Sequence, residues 1–318
     1  MDRPVRVAVV GAAGAFGRNH LAGLAQLPEA EVTIVADPRI QAAQAVADRY
    51  GVPTVLPGLE EVLGRDDVDA VVLATPTPLH AAQAQAVLAA GLHVEVEIPL
   101  ADSLADAEAV LAASQASDQV AMVGHTRRFN PSHQWVHRRV ADGLLTIQQL
   151  DAQTYFFRRT NTNAQGEPRS WTDHLLWHHA AHTVDLFAHQ TGPITRAQAL
   201  QGPIHPVLGI AMDLSIQLKS QTGALCTLSL SFNNDGPFGT FFRYIGDSGT
   251  YLALYDDLVT GHNEPIDTST VAASRNGIEL QDREFVSAIR QGREASTSAA
   301  RVIDCYRVLG ALAEQLES

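Results

Sequence analysis

The sequence Val5-Arg-Val-Ala-Val-Val-Gly11-Ala-Ala-Gly14-Ala-Phe-Gly17 decides the fold of the first part of the chain. Its mostly apolar beginning predicts a buried strand, and the glycines that follow predict a tight turn into a helix. Short apolar strands then alternate with helical patterns up to about residue 124. This alternation indicates an α/β domain, residues 1–124, built on a doubly wound parallel sheet of the Rossmann type.

Five strands and five helices are predicted within residues 1–124. The predicted strands are Val5–Val10, Glu31–Ala36, Ala70–Ala74, His93–Val96 and Val120–Val123. The predicted helices are Ala15–Gln26, Ile40–Tyr50, Leu59–Gly64, Leu79–Ala90 and Leu104–Ser117. Because parallel strands end at one edge of such a sheet, ligands are expected along that edge.

The pattern changes after residue 124, and residues 125–318 are predicted to form an α+β domain on an open, mostly antiparallel sheet. Thr222-Gly223 separates two segments of period two, which predicts a hairpin. An open sheet face favours a homodimer through that face. The C-terminal helices can pack back on the first domain. The predicted elements are helices at Pro131–Asp142, Asp173–Gln190, Gln281–Arg290 and Ala299–Glu317, and strands at Ile147–Arg158, Met212–Lys219 and Leu225–Phe232.

The composition excludes several classes of partner. The formal net charge is -13, which repels nucleic acid and anionic membrane surfaces. No apolar run reaches the ~18 residues that a membrane span needs, and the chain enters its first strand without a signal peptide. Cys226 and Cys305 each stand alone in apolar sequence, as reduced cysteines of a cytoplasmic protein do. An anionic substrate therefore requires a local cluster of positive charge.

The glycine turn predicts a dinucleotide site. Glycine is needed there for the tight turn, for the close approach of backbone to pyrophosphate, and for helix–strand packing. The free N–H groups at the start of the helix favour phosphate. Ala12 stands where the first glycine of the G-x-G-x-x-G fingerprint usually falls, so the match is a variant. The residues expected to contact the cofactor here are Gly11, Ala13, Gly14, Ala15 and Phe16.

Asp37 ends the second predicted strand, twenty residues after Gly17, where an acid can bind the ribose hydroxyls of the cofactor. A carboxylate repels a 2′-phosphate, so Asp37 favours NAD. Arg39 could bind such a phosphate and reverse the preference to NADP, or could be a solvated residue of the next helix. The sequence leaves both cofactors open.

A second cofactor segment follows the strand that ends at Ala74. The sequence Ala74-Thr-Pro-Thr-Pro-Leu-His80 lies at the edge of the sheet where ligands bind. Its polar residues can line the nicotinamide side, although a proline-rich helix start would look similar. The residues expected to contact the cofactor are Thr75, Pro76, Thr77 and His80.

With these motifs the whole chain resembles the glucose–fructose oxidoreductase / inositol dehydrogenase / MocA family. Within this family the closer resemblance is to the group of 4-carboxy-2-hydroxymuconate-6-semialdehyde dehydrogenases. The resemblance implies oxidation of the cyclic hemiacetal of that semialdehyde to 2-pyrone-4,6-dicarboxylate, in the protocatechuate 4,5-cleavage route of lignin-aromatic breakdown, and it favours NADP. The stretches that carry it are the glycine turn, the loop to His80, His93–Ala101, Gly124–His133, Gln153–Arg159, Gly166–Leu186 and Ser229–Gly236.

One departure from the broad family bears on the mechanism. Most members carry Glu-Lys-Pro, with the lysine at the reacting centre, whereas this chain has Glu97-Ile98-Pro99. Glu97 and Ile98 are still expected beside the cofactor. The only lysine, Lys219, lies on a predicted exposed hairpin strand, so another residue must act as the base.

Histidines are the candidates for that base. The segment His174-Leu-Leu-Trp-His178-His179-Ala-Ala-His182 precedes Asp185, and on an α-helix residues 178 and 182 share a face. Imidazole titrates near neutrality and suits removal of a hydroxyl proton. His182 matches the family's active-site histidine and is the first choice for base, with His178 the second. Asp185 could orient an imidazole or be a surface acid.

A metal site is the rival interpretation of this segment, because His-x-x-x-His with a carboxylate can bind zinc. Hydride transfer does not require a metal, and the resembled family uses none at this position. We therefore expect no metal.

The dicarboxylate substrate implied by the resemblance needs arginines, which bind carboxylates through two parallel hydrogen bonds. Adjacent arginines on a strand point to opposite faces, so only one of Arg158 and Arg159 is expected to face the site. Aromatic residues can wall the planar ring, although most buried aromatics serve as core. The candidate substrate ligands are Arg127, Arg169, Arg128, Arg158, Trp171, His179 and Tyr155.

Two alternative functions remain open at this point. A dehydrogenase of a sugar or cyclitol would favour Asp, Asn and Lys partners over paired arginines. A non-catalytic dinucleotide-sensing protein would lack a base, and the histidine cluster argues against it.

Overall fold

The computed structural model describes residues 3–162, 166, 168–169 and 171–317. The chain forms two compact units. The first contains the residues up to 125 together with Ile278–Ile303, and the second contains Thr126–Gly277 together with the residues from Asp304 onward.

The first unit is built on a six-stranded sheet in the order β3-β2-β1-β4-β5-β6, in which all neighbouring strands are parallel. Residues such as Val7, Val72 and Val94 are fully buried, because both faces of the sheet are covered. The predicted Rossmann fold is confirmed. Its strands are β1 Val5–Val10, β2 Ala30–Ala36, β3 Thr54–Leu56, β4 Ala70–Leu73, β5 His93–Glu97 and β6 Ala121–Gly124.

The helices that follow these strands are α1 Ala15–Leu24, α2 Ile40–Tyr50, α3 His80–Ala89 and α4 Leu104–Gln115, with a 3₁₀ turn at Thr77–Leu79. One predicted helix, Leu59–Gly64, is wrong: this segment is a short series of turns. Pro57 and Gly58 precede it, and Gly64 has a φ of +83°, which leaves room for about one turn. The short edge strand β3 was not predicted.

The second unit contains a seven-stranded mixed sheet in the order β13-β12-β11-β7-β10-β9-β8. Strands β7 and β10 are parallel, and every other neighbouring pair is antiparallel, which confirms the mostly antiparallel prediction. The hairpin around Thr222-Gly223 forms as expected. The strands are β7 Ile147–Tyr155, β8 Ile194–Gln201, β9 Asp213–Ser220, β10 Leu225–Ser231, β11 Gly239–Gly246, β12 Gly249–Leu254 and β13 Asp257–Thr260.

The helices of the later part of the chain are α5 Pro131–Ala141, α6 Ala181–Thr191, α7 Gly277–Gln291 and α8 Ala299–Glu317, after a 3₁₀ turn at Thr126–Arg128. The predicted continuous helix Asp173–Gln190 is wrong in its first half, where Leu175–Ala180 forms a π-helix that leads into α6. Single π-helical turns occur often at functional sites. Among the described residues, none of the helices combines the length and apolar composition that a bilayer crossing needs.

Candidate active site

The glycine turn between β1 and α1 requires glycine at both ends. Gly11 has a φ of +83°, and a Cβ there would lie 2.3 Å from the carbonyl oxygen of Ala74. A Cβ at Gly17 would lie 2.4 Å from the carbonyl oxygen of Gly11. Gly14 is the N-cap of α1 and has no side chain, so backbone N–H groups face whatever binds at this helix end. This bare turn fits the pyrophosphate of a dinucleotide.

Asp37 and Arg39 form an ion pair beside that turn. The carboxylate of Asp37 is 2% exposed and accepts hydrogen bonds from the backbone N–H of Ala13 at 3.1 Å and of Arg39 at 3.0 Å. The Arg39 guanidinium also donates to it, at 3.0 and 3.2 Å, while 49% of the arginine side chain stays exposed. Asp37 is therefore charge-balanced within the protein, and Arg39 is the member of the pair that reaches solvent.

The loop after β4 is held in place by His80. Its Nδ1 lies 2.7 Å from the carbonyl oxygen of Pro99, and its Nε2 lies 2.8 Å from that of Thr75. The Thr75 hydroxyl donates to Gln83 at 2.6 Å, and Thr77 is 6% exposed. Both ring nitrogens of His80 thus contact the chain itself, which gives this residue a role in shaping the loop.

The position of the usual family lysine is apolar and closed. Ile98 is 5% exposed and Glu97, the last residue of β5, is 6% exposed. The Glu97 carboxylate lies 2.9 Å from Nε2 of His20. An isoleucine side chain cannot exchange a proton, so the first unit offers no base at this position.

In the second unit, three of the predicted substrate residues come together around Asp173, which was not predicted. Arg158 makes a two-pronged ion pair with its carboxylate, Arg169 donates to Oδ1 at 3.0 Å, and Nε2 of His179 lies 3.1 Å from Oδ2. Asp173 is 5% exposed. Against the opposing effect of burial, the His179 hydrogen bond and the neighbouring positive groups hold the pKa of Asp173 well below its usual range.

Aromatic rings surround this cluster. The Arg158 guanidinium lies over Phe232, at 4.5 Å from the ring centroid, and Arg169 lies 5.7 Å from the ring of Trp171. Trp171 is in turn 5.8 Å from the ring of His178. Two guanidinium groups and one carboxylate leave a surplus of positive charge among flat rings, which suits a planar anion.

The structure places the other predicted substrate residues elsewhere. Arg128 forms a two-pronged ion pair with Asp185, with N···O distances of 2.7 and 2.5 Å. The two residues are 57 positions apart in the sequence. Asp185 is 2% exposed, so of the two roles left open for it the surface acid does not apply, while the substrate role of Arg128 stays a prediction. Arg127 lies over the ring of Tyr255 at 5.0 Å and donates to Asn130 at 3.3 Å.

Tyr155 ends β7, and its hydroxyl donates to Ser229 on the neighbouring strand β10 at 3.0 Å. Arg159 binds main-chain oxygens and Asn233 and stays exposed, so of the adjacent pair only Arg158 joins the cluster.

The two candidate bases lie on either side of the helix transition. His178 belongs to the π-helix and His182 to the first turn of α6. The two residues therefore do not lie on one continuous α-helix, and the shared helix face expected from their four-residue spacing does not apply. His178 packs edge-on against His179, with centroids 4.9 Å apart, and His182 is partly exposed.

The described residues also offer a possible metal set, because ligand atoms of Asp173, His178 and His179 lie within 4.8 Å of one another. This set differs from the His178, His182 and Asp185 set that the spacing had suggested. Two guanidinium groups already occupy the Asp173 carboxylate, and their charge opposes a divalent cation there.

Asp173 could have been found from the sequence by one signal: it is the only acid between Arg169 and the histidines. The pairing of Arg128 with Asp185 had no such local signal.

Comparisons with known proteins agree with this architecture. Residues 5–125 match the model of the oxidoreductase family with an NAD-binding Rossmann fold, and residues 131–272 match that of the C-terminal domain of bacterial oxidoreductases. The 4-carboxy-2-hydroxymuconate-6-semialdehyde dehydrogenase of a Sphingobium species is 65% identical over 313 residues, which cover 98% of this chain and 99% of that protein.

Two solved structures share the fold over nearly the whole chain. An oxidoreductase from Agrobacterium radiobacter, in complex with NAD+, L-tartaric acid and magnesium, has a TM-score of 0.83 at 19% identity and covers 99% of this chain and 96% of its own. The WlbA dehydrogenase from Bordetella pertussis, in complex with NADH and UDP-GlcNAcA, has a TM-score of 0.84 at 22% identity and covers 100% of this chain and 96% of its own.

Proposed function

Since this chain belongs to the oxidoreductase family with an NAD-binding Rossmann fold, we propose that it is a dehydrogenase of 4-carboxy-2-hydroxymuconate-6-semialdehyde. It oxidises the cyclic hemiacetal of this semialdehyde to 2-pyrone-4,6-dicarboxylate. The observation that supports this substrate is the 65% identity to the Sphingobium dehydrogenase over nearly the full length of both chains.

The reaction removes a hydride from the hemiacetal carbon and a proton from its hydroxyl group, which leaves the ring ester of the pyrone. Bound NAD(P)+ supplies the hydride acceptor. Because Ile98 replaces the family lysine, a histidine of the second unit must accept the hydroxyl proton. We assign this role to His182, with His178 as the alternative.

The cluster around Asp173 supports a dicarboxylate substrate. Asp173 accepts two hydrogen bonds from Arg158, whose side chain is 13% exposed, and one from Arg169, whose side chain is 26% exposed. We therefore assign Arg169 to a substrate carboxylate, Arg158 and Asp173 to positioning, and Trp171 to the wall beside the ring. In a chain of net charge -13, such a local surplus of positive charge attracts the substrate.

An initial-rate assay tests the activity directly. The purified protein is mixed with enzymatically ring-cleaved protocatechuate and either NAD or NADP, and the reduced cofactor is followed by absorbance. We expect turnover with formation of 2-pyrone-4,6-dicarboxylate, identified by mass spectrometry, and none with myo-inositol or glucose. Turnover of the polyols without turnover of the semialdehyde would instead establish a sugar or cyclitol dehydrogenase.

For the choice of cofactor we propose NADP, because the contacts of Asp37 reverse the argument from its charge alone. Its carboxylate is balanced by Arg39 and by two backbone N–H groups, so it repels a 2′-phosphate only weakly. The half-exposed Arg39 guanidinium is suited to binding that phosphate.

Replacing Arg39 with alanine is expected to raise KM for NADP by about 10- to 100-fold, which corresponds to the ~1.5–3 kcal/mol of a hydrogen bond to a charged group. KM for NAD should change much less, and the ratio of the two constants is the measurement. Arg49→Ala, an exposed arginine on α2, is the matched control. An unchanged ratio in Arg39→Ala would remove Arg39 from the phosphate site.

We also propose a homodimer through the exposed face of the seven-stranded sheet. This face has a depression of about 400 Å³ lined by both apolar and charged side chains, and Arg243 pairs in register with Asp151 across β11 and β7. A self-complementary patch of this kind suits a two-fold interface. Sedimentation analysis over a range of protein concentrations measures the association.

A further inference from the structure

A group of polar side chains lies in the interior of the first unit, and we call it the buried carboxyl cluster. Helix α1 contributes one member, strand β5 two, and helix α7 two. All are 0% exposed except Glu97, which is 6% exposed. The members are His20, Glu95, Glu97, Gln281 and Asp282.

His20 joins the three elements of this cluster. Its Nδ1 lies 2.5 Å from Oδ1 of Asp282, and its Nε2 lies 2.9 Å from Oε1 of Glu97. An ionised carboxylate only accepts hydrogen bonds, so with Asp282 and Glu97 ionised both ring nitrogens carry hydrogen and His20 is a cation. Against the opposing effect of burial, Asp282 and Glu97 raise the pKa of His20 well above its usual value.

Glu95 is the third carboxyl, and one imidazolium cannot balance three carboxylates. If all were ionised, the charge would be +1 − 3 = −2 in a site without solvent, which is strongly unfavourable. A proton on one carboxyl reduces it to −1. Glu95 accepts from Gln281 at Oε1 (2.9 Å), whereas its buried Oε2 has no hydrogen-bond partner. Burial and the nearby carboxyls of Asp282 and Glu97 raise the pKa of Glu95 to about 8.

Among the described residues, the strands that flank β5 carry no charge, and on α7 the Arg283 guanidinium donates to Glu279 of the same helix. Strands β4 and β6 flank β5 and have the sequences Ala-Val-Val-Leu and Ala-Met-Val-Gly. Helix α7 adds another acid, Glu279, whose charge also acts on Asp282. A Cβ on Gly23 would come within 2.4 Å of Asp282 Oδ2, so this oxygen packs closely against α1. Ligand atoms of His20, Glu95 and Asp282 lie within 4.8 Å of one another, but both ring nitrogens of His20 are engaged by carboxylates, which leaves no imidazole lone pair for a metal ion. The ligand that fits the cluster is a proton.

We propose that the buried carboxyl cluster is a proton-binding site whose occupancy is linked to the redox state of the bound nicotinamide cofactor. Glu97 is the last residue of β5 and therefore lies at the sheet edge where dinucleotides bind. The oxidised ring carries a positive charge that favours loss of the proton, and the neutral reduced ring favours its return. The linkage involves cofactor binding alone and does not depend on the identity of the substrate.

Calorimetric titration of the full-length protein measures this proton directly. Binding of NADP+ and of NADPH is recorded at pH 8 in two buffers of different ionisation enthalpy, and the dependence of the heat on the buffer gives the protons exchanged. If the ring charge lowers the pKa of the cluster by about half a pH unit, the two cofactor forms differ by about a quarter of a proton. The ratio of their dissociation constants then changes by about threefold between pH 6.5 and 9, in favour of NADP+ at high pH.

Glu95→Gln keeps the shape of the side chain and its bond from Gln281, and it should abolish the difference in proton count while cofactor still binds. Glu61→Gln, an exposed acid of the same unit, should retain the difference. Equal proton counts for NADP+ and NADPH in the unmodified protein would overturn the proposal, as would a difference that survives in Glu95→Gln. Should that variant not fold, a pH-independent ratio of the two dissociation constants in the unmodified protein has the same force.

Discussion

Replacing His182 with alanine should lower kcat by about 100-fold or more, the usual contribution of a general base, while leaving the affinity for NAD(P) unchanged. The proton of the hemiacetal hydroxyl would have no acceptor at the position that the broad family fills with a histidine. Stopped-flow measurement of cofactor reduction gives the rate, and fluorescence titration gives the affinity.

The matched control for His182 is His174→Ala. His174 precedes the π-helix in the same segment and is exposed, so its loss should leave kcat within a factor of two or three. His178→Ala separates the two candidate bases. Near-normal turnover in His182→Ala together with a large loss in His178→Ala would move the base to residue 178.

The second large effect is expected at Arg169. Arg169→Gln should raise KM for the semialdehyde by about 10- to 100-fold, because a charge-assisted hydrogen bond to a carboxylate contributes about 1.5–3 kcal/mol. A contact of equal strength in the ground and transition states changes KM and leaves kcat nearly constant. Initial-rate kinetics at saturating cofactor separate the two constants.

Two neighbouring arginines make this result specific. Arg159→Gln removes an exposed guanidinium that contacts main-chain oxygens and should leave KM unchanged. Arg158→Gln removes the two-pronged partner of buried Asp173 and should lower the melting temperature, because breaking a buried ion pair is strongly destabilising. Unchanged KM values in Arg169→Gln would refute the assignment of the carboxylate site.

The sequence predicted the parts of the fold that depend on local pattern. The strands of the first unit are mostly apolar, and the glycine turn is required by contacts within a few residues, such as Gly17 against Gly11. The π-helix at Leu175–Ala180 was missed because the histidine segment is too polar for its apolar period to distinguish a π-helix from an α-helix.

Apart from Asp173, the contacts that sequence reasoning missed depend on partners distant in the chain. Arg128 binds Asp185, 57 residues away, and His20 binds Asp282, 262 residues away. Periodicity carries no information on such pairs. One signal was nevertheless present in the sequence: Glu95 is an acid inside a buried strand. Such a conflict between residue type and environment often marks a functional or strained site.

The first unit is formed by two separate stretches of the chain, which are synthesised at different times. Residues up to 125 leave the ribosome first, but the helix that carries Asp282 follows about 150 residues later, roughly 10–30 s at ordinary rates of elongation. Until then His20 lacks one of its two carboxylate partners. The nascent cofactor-binding unit therefore closes its interior only after α7 has been made, and the second unit, which includes the residues from Asp304 onward, is completed later still.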